Sequence, residues 1–301
     1  MHTHAFTSHI DYAAMGESLR AYRMGAGLQA DQVAEQVGVS RAVVYRMEKG
    51  EIVKIETLER LAQLLGTSVA SLLGVEAEYY ASAIALFERM RQLEVRTDRI
   101  LAHFEPVSVL LLSEDYLGYL ALMLQEALPP GADAAVQAVQ TQQMLDILRA
   151  RKQQFEQRKP HIVSLIGLRD LERFVQTGLI GHLEVPAAVR AARVQAARAE
   201  VLRMAELMDH APWYAQVGLV DDAMPSATYQ VLTGPAHRVL MQSPFRLGEL
   251  PNVRNGVAMV TASHEAVALH EQMTTQLWTH ASKGAEGAAR LRAMLARIQR
   301  A

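Results

Sequence analysis

Two guanidinium groups, Arg41 and Arg46, stand in the run Gly38-Val39-Ser40-Arg41-Ala42-Val43-Val44-Tyr45-Arg46-Met47. A guanidinium donates two parallel hydrogen bonds to guanine O6 and N7, about 1 to 3 kcal/mol of discrimination per good pair. Ala42 suits a thymine methyl group, and Tyr45 suits a phosphate or a base. To act together these groups must project from one side of a helix that enters the major groove. The spacing predicts such a helix. Val44 and Met47, three apart, face inward and leave Arg41, Ala42, Tyr45 and Arg46 outward. Ser40 caps its start, and Gly38 supplies the left-handed backbone of a tight turn. Ala34 is small enough to let the second helix approach the preceding one, and Val39 plugs the core between them.

Those side chains need a scaffold. From Gly16 to Leu73 apolar residues recur at helical spacing, broken by Gly25, Gly27, Gly38, Gly50 and Gly66, as in a compact set of short helices. Gly16 with Leu19, Arg20 and Arg23, the turn quoted above, Glu48-Lys49-Gly50, and then Leu58, Leu61, Ala62, Leu64, Leu65 and Leu72 resemble the Cro and phage-repressor-like helix-turn-helix family, also called the xenobiotic-response-element (XRE) family. The resemblance implies a five-helix DNA-binding domain over 16–74 and places Arg41, Ala42, Tyr45 and Arg46 on its recognition helix. It puts Gln29 and Lys49 where contacts to the DNA backbone are common, so the expected DNA-facing set is Gln29, Ser40, Arg41, Ala42, Tyr45, Arg46 and Lys49. The chain departs from the family at Ala30, where a glutamine usually opens the second helix; here the glutamine is Gln29.

Beyond this unit the pattern predicts a long helix over 75–105, with Ile84, Phe87, Met90 or Leu93, and Leu101 on one stripe. It reads equally as a connecting or dimerising helix and as an ordinary core helix. Val107–Leu112 and His161–Leu168 read as strands, and Asp115–Leu128, Ala134–Lys159 and Leu171–Leu179 as helices. Pro186 opens another helix, running to Met208. β-formers then gather at Gln216–Val220, Tyr229–Leu232, His237–Gln242 and Val257–Thr261, predicting a small antiparallel sheet, and His264–His280 and Ala285–Ile298 read as closing helices. The expected fold is therefore mainly α, with a tail over 1–15 and an α+β sensor or oligomerisation part over 106–301. Val239–Leu291 also resembles the phospholipase-D-like regions attached to some bacterial regulators, without the His-x-Lys pattern of those enzymes.

Several chemistries drop out. The 301 residues contain no cysteine, which removes disulfides and thiolate chemistry and fits the cytoplasm. No apolar run approaches the ~20 residues of a membrane helix. His2, His4 and His9 read as part of a solvated tail. His264 and His270 are six apart, about 120° from each other around a helix and not at the four-residue spacing of the zinc-protease pattern, so that pattern fails and a structural role is expected. Gly167-Leu168-Arg169-Asp170 and Gly284-Ala285-Glu286-Gly287 lack the lysine of a phosphate loop. Trp213, Tyr214 and Trp278 are expected in the core, and Arg246 and Arg254 in solvent. No catalytic residue, metal or cofactor is expected.

A net charge of −2 rules out a general nucleic-acid coat, so DNA binding must be local. Within 15–73 the signs also balance. The expected function is a dimeric, cytoplasmic transcription regulator that binds an operator in double-stranded DNA, with a small-molecule or protein effector at its C-terminal part. The competing reading is a protein-interaction adaptor whose helix-turn-helix does not bind DNA.

Overall fold

A computed structural model describes residues 11–51, 54–73, 77–221 and 224–299; the histidines at 2, 4 and 9 lie outside this range. Asp11 accepts a hydrogen bond from the Ala14 N–H at 3.0 Å and so starts a helix at Tyr12, ahead of Gly16 where the apolar pattern becomes legible. Five helices follow in succession: α1 (Tyr12–Gly25), α2 (Ala30–Val37), α3 (Arg41–Met47), α4 (Ile55–Leu64) and α5 (Val69–Leu73). Their core is built from Leu19, Tyr22, Val33, Val37, Val44, Met47, Leu61 and Leu72, all buried.

The stretch expected as one long helix over 75–105 is instead β1 (Glu78–Tyr80), α6 (Ala83–Glu94) and β2 (Arg99–His103). Ser82 ends the first strand and caps α6, accepting from the Ala85 N–H at 3.4 Å. Ile100, Leu101 and Ala102 are all buried, and a fully buried strand has no period to distinguish it from a helix. In α6 every residue but Arg91 is buried, so no side of it is free to pair with a second copy of the chain. Of the two sequence readings, core helix is the one the structure shows.

The remaining elements are α7 (Asp115–Glu126), α8 (Ala134–Arg158), β3 (His161–Gly167), α9 (Leu168–Thr177), α10 (Ala187–His210), β4 (Ala215–Val220), β5 (Thr228–Gly234), β6 (His237–Ser243), β7 (Ala258–Thr261), α11 (His264–His280), β8 (Ser282–Lys283) and α12 (Gly284–Ile298). Val107–Leu112 is not a strand: it holds a single 3₁₀ turn, Val109–Leu111. Its carbonyls are taken by Lys152, a buried ammonium that donates to Leu112 O at 2.6 Å and Val109 O at 3.5 Å.

The C-terminal part is α+β, as expected, but its sheet is larger than the small antiparallel one of four strands: it also takes in β1, β2, β8 and the strand read at His161–Leu168. Eight strands run in the order β1-β7-β6-β5-β2-β3-β4-β8. The strands β2, β3 and β4 pair in parallel, joined by helical crossovers, while the other neighbours are antiparallel. One side of the sheet packs Leu101, Val163, Tyr229, Val231 and Leu240 against α11. The other carries Ile100, Ile162, Ile166, Leu232 and Met241 into the main core with α6 to α10 and α12.

One sequence expectation for an individual side chain fails, and the loop arginines expected in solvent, though Arg254 is exposed and Arg246 partly so, also make contacts. Trp213 is 71% exposed, because it lies in the turn between α10 and β4, whereas Trp278 packs against the sheet as expected. Arg246 meets Glu105 at 3.1 Å, and Arg254 donates to Ala127 O, so both loop arginines tie the β6–β7 connection to the fold.

Buried charge in the core is paired. Arg151 on α8 donates to both carboxylate oxygens of Glu94 at 2.7 and 2.9 Å, with both side chains nearly inaccessible. Arg151→Met leaves Glu94 charged and unpaired in the interior, a loss of about 3–5 kcal/mol. The urea midpoint is expected to fall accordingly, and the double variant with Glu94→Leu to recover most of the loss. Equal midpoints for Arg151→Met and the unaltered protein contradict this account.

Candidate nucleic-acid interface

The turn between α2 and α3 is built as its sequence requires. Gly38 adopts φ +76° and donates its N–H to Ala34 O at 2.9 Å, closing α2. Ser40 is extended, and its hydroxyl accepts from the Val43 N–H at 3.4 Å at the start of α3. Val44 and Met47 are 0% and 1% exposed and lock the inner side of α3. On the outer side Arg41, Ala42, Tyr45 and Arg46 are all exposed with the entire C-terminal part in place, as are Gln29, Ser40 and Lys49.

The exposed groups have partners that DNA contacts would readily replace. Arg41 Nη2 donates to Tyr45 OH at 3.0 Å, and its guanidinium lies 5.4 Å from the Tyr45 ring centre. The hydrogen bond to Tyr45 raises the pKa of Arg41, already the most basic of side chains, so its charge is permanent. Arg46 stands 3.5 Å from Glu51 with both side chains more than half exposed, a pair worth about 0–1 kcal/mol in water. Gln29 precedes α2 and donates its N–H to the Gln32 side chain at 2.7 Å. Ala30, the position at which the resemblance leads to a glutamine, is buried and serves the core.

Other residues of the motif hold α3 in place. Arg23 is largely buried, joined to Glu48 at 2.5 Å, and also donates to Leu28 O at 2.9 Å. Arg60 on α4 donates to Val37 O at 2.9 Å, satisfying a carbonyl at the end of α2. Arg20 turns toward Glu88 on α6, 3.7 Å away. These three arginines belong to the scaffold, a division that the count of charges in the sequence could not make. Gly16 lies so close to the end of α3 that a Cβ there would sit 2.7 Å from the carbonyl oxygens of Met47 and Glu48. Gly50, at φ +90°, leaves no more room: its Cβ would be 2.6 Å from Tyr12 O.

Residues 14–73 match the family model described as a helix-turn-helix domain. This N-terminal unit is a helix-turn-helix domain. A Pyrobaculum aerophilum protein provisionally named as an HTH-type transcriptional regulatory protein is 34% identical over 87 residues. The aligned stretch is 29% of this chain and 34% of that protein, so the likeness spans about a third of the relative's length. No solved structure matches the chain. Among the described residues no helix is long and apolar enough to cross a membrane, and no group of three His, Asp or Glu side chains is placed to hold a metal. His270 has a structural role: its Nδ1 donates to Ala266 O at 2.8 Å, leaving Nε2 to accept from the Gln242 amide at 3.0 Å.

The helix-turn-helix geometry makes a prediction whose sign is informative. Gly16 lies inside α1, where alanine is normally favoured by about 1 kcal/mol. The three backbone atoms facing it cannot move without shifting α3. Gly16→Ala is therefore expected to lower the melting temperature despite its better helix propensity. A rise in melting temperature would show that the contact between α1 and α3 is loose.

Proposed function

We propose that the chain is a sequence-specific transcription regulator of the XRE kind that binds double-stranded DNA through α3. The observation that carries this reading is the division of α3 between an inner side locked by Val44 and Met47 and an outer side presenting Arg41, Ala42, Tyr45 and Arg46 to solvent. Gln29, Ser40 and Lys49 flank that side and contact the DNA backbone, while the two arginines read base edges. The match to a helix-turn-helix domain and the name of the Pyrobaculum aerophilum relative support the same reading.

The working unit is a homodimer. A recognition helix of seven residues reaches few bases, and two such helices about 34 Å apart double the contacts and match a two-fold operator. The C-terminal α+β part, with the sheet and its flanking helices, serves as sensor or assembly module. The protein works in the cytoplasm and has no catalytic role.

Genome-wide recovery of bound DNA would supply the operator. Arg41→Ala combined with Arg46→Ala is expected to abolish specific retention in a gel shift with the circular-dichroism melt nearly unchanged, because both side chains are exposed. Retention of the operator by the double variant would remove the proposal. Salt provides a second check: the log of the binding constant should fall with the log of salt by about 0.9 for each phosphate neutralised. A shallow slope on the recovered DNA would favour the adaptor reading, in which the domain docks a protein.

A further inference from the structure

A cavity of about 720 Å³ lies where α1 meets α6 and the ends of β6 and β7. That volume is in the ~300–1,000 Å³ range of small-molecule sites. Met15, Leu73, Leu93, Val239 and Val260 give it an apolar lining. Two of its arginines meet at one carboxylate. Glu17, on α1, accepts from Arg96 Nη2 at 2.6 Å through one oxygen and from Arg89 Nη1 at 3.2 Å through the other. Arg89 is almost fully buried and uses Nε and Nη2 on Glu78, at 2.9 and 2.8 Å. Arg238 engages both carboxylate oxygens of Glu271 through one guanidinium edge, Nε and Nη2. Arg96 is half-exposed and Glu17 is the ion-pair partner found for it.

We propose that this cavity is an effector site for organic monocarboxylates with an apolar body, and that Glu17 occupies the position of the ligand's carboxylate when the site is empty of ligand. The geometry points to an anion because moving Glu17 aside frees one donor of Arg89 and the head of Arg96 together, two charged donors converging on one point. Of the carboxylates that line the cavity, Glu17 and Glu78 are committed to arginines and Asp11 caps the start of α1. The site also reaches the recognition helix: Glu17 follows Gly16, the residue pressed against the carbonyls at the end of α3. A ligand that displaces Glu17 therefore acts on the helix that buttresses α3. The inference rests on the regulator reading only for the use made of the site; binding itself does not depend on DNA.

The test is calorimetric titration of the full chain, without DNA, with linear monocarboxylates from hexanoate to dodecanoate and with 4-phenylbutyrate, each compared with its primary amide. At least one acid is expected to bind about tenfold or more tighter than its amide, the scale of a lost charge-assisted hydrogen bond. Arg96→Gln is expected to weaken that acid by a similar factor. Glu17→Gln is expected to tighten it about threefold or more, since the internal competitor loses its charge; damage to the fold would act in the opposite direction. No preference for acid over amide anywhere in the series, or unchanged or weaker binding by Glu17→Gln, would overturn the proposal. Acid binding by a protein that retains no DNA would sink the regulator reading and leave this site standing. Operator retention with no acid preference would do the reverse.

Discussion

The structure turns on one constraint: α6 is buried on nearly every side although four of its twelve residues are charged. Charge enters an interior only when paired, and α6 finds its partners in several different elements. Glu88 is held by Arg91 and Gln92 within the helix and faced by Arg20 of α1. Arg89 is held by Glu78 of β1 and Glu17 of α1, and Glu94 by Arg151 of α8. Satisfying these charges fixes the helix-turn-helix domain against the C-terminal part. The stacked rings of Tyr22 and Tyr80, 4.6 Å apart, and the hydrogen bond from Tyr22 OH to Tyr79 O close the same junction. Burial pushes the hydroxyl pKa of both tyrosines up, so both remain neutral donors at physiological pH.

How much of this was legible follows from what kind of signal each element leaves. The turn between α2 and α3 could be read because its conformation depends on single residues: Gly38 for a left-handed backbone, Ser40 for a cap, Val44 and Met47 for an inner side. Helix α10, opened by Pro186, the amphipathic helix α12 and the turn-bounded strands β5 and β6 were legible for similar local reasons. The junction was not. Glu78, Arg89, Glu94 and Arg151 look like surface charge in the sequence, and only the long-range pairing reveals them as interior. The parallel strands β2 and β3 are paired across about sixty residues of intervening chain, a relation with no local signature. Among the site residues the sequence identified those that face solvent, and it left unassigned Arg23 and Arg60, whose work is to hold the backbone that carries them.

The near-neutral charge of the first domain, which counts against DNA binding when charges are merely summed, has a different meaning once they are sorted by position. Arg20, Arg23 and Arg60 are spent on Glu88, Glu48 and a backbone carbonyl. Glu48 is correspondingly withdrawn from the surface. What remains on and beside α3 is Arg41, Arg46 and Lys49, with Glu51 as the one carboxylate within ion-pair reach of them among the described residues. A phosphate or a guanine edge competes with a single solvated ion pair at Arg46 and with a tyrosine hydroxyl at Arg41. The placement of charges, not their sum, decides what α3 presents to solvent, and the pairing of the scaffold arginines leaves Arg41, Arg46 and Lys49 exposed there, with Asp31 near enough to act on Arg41.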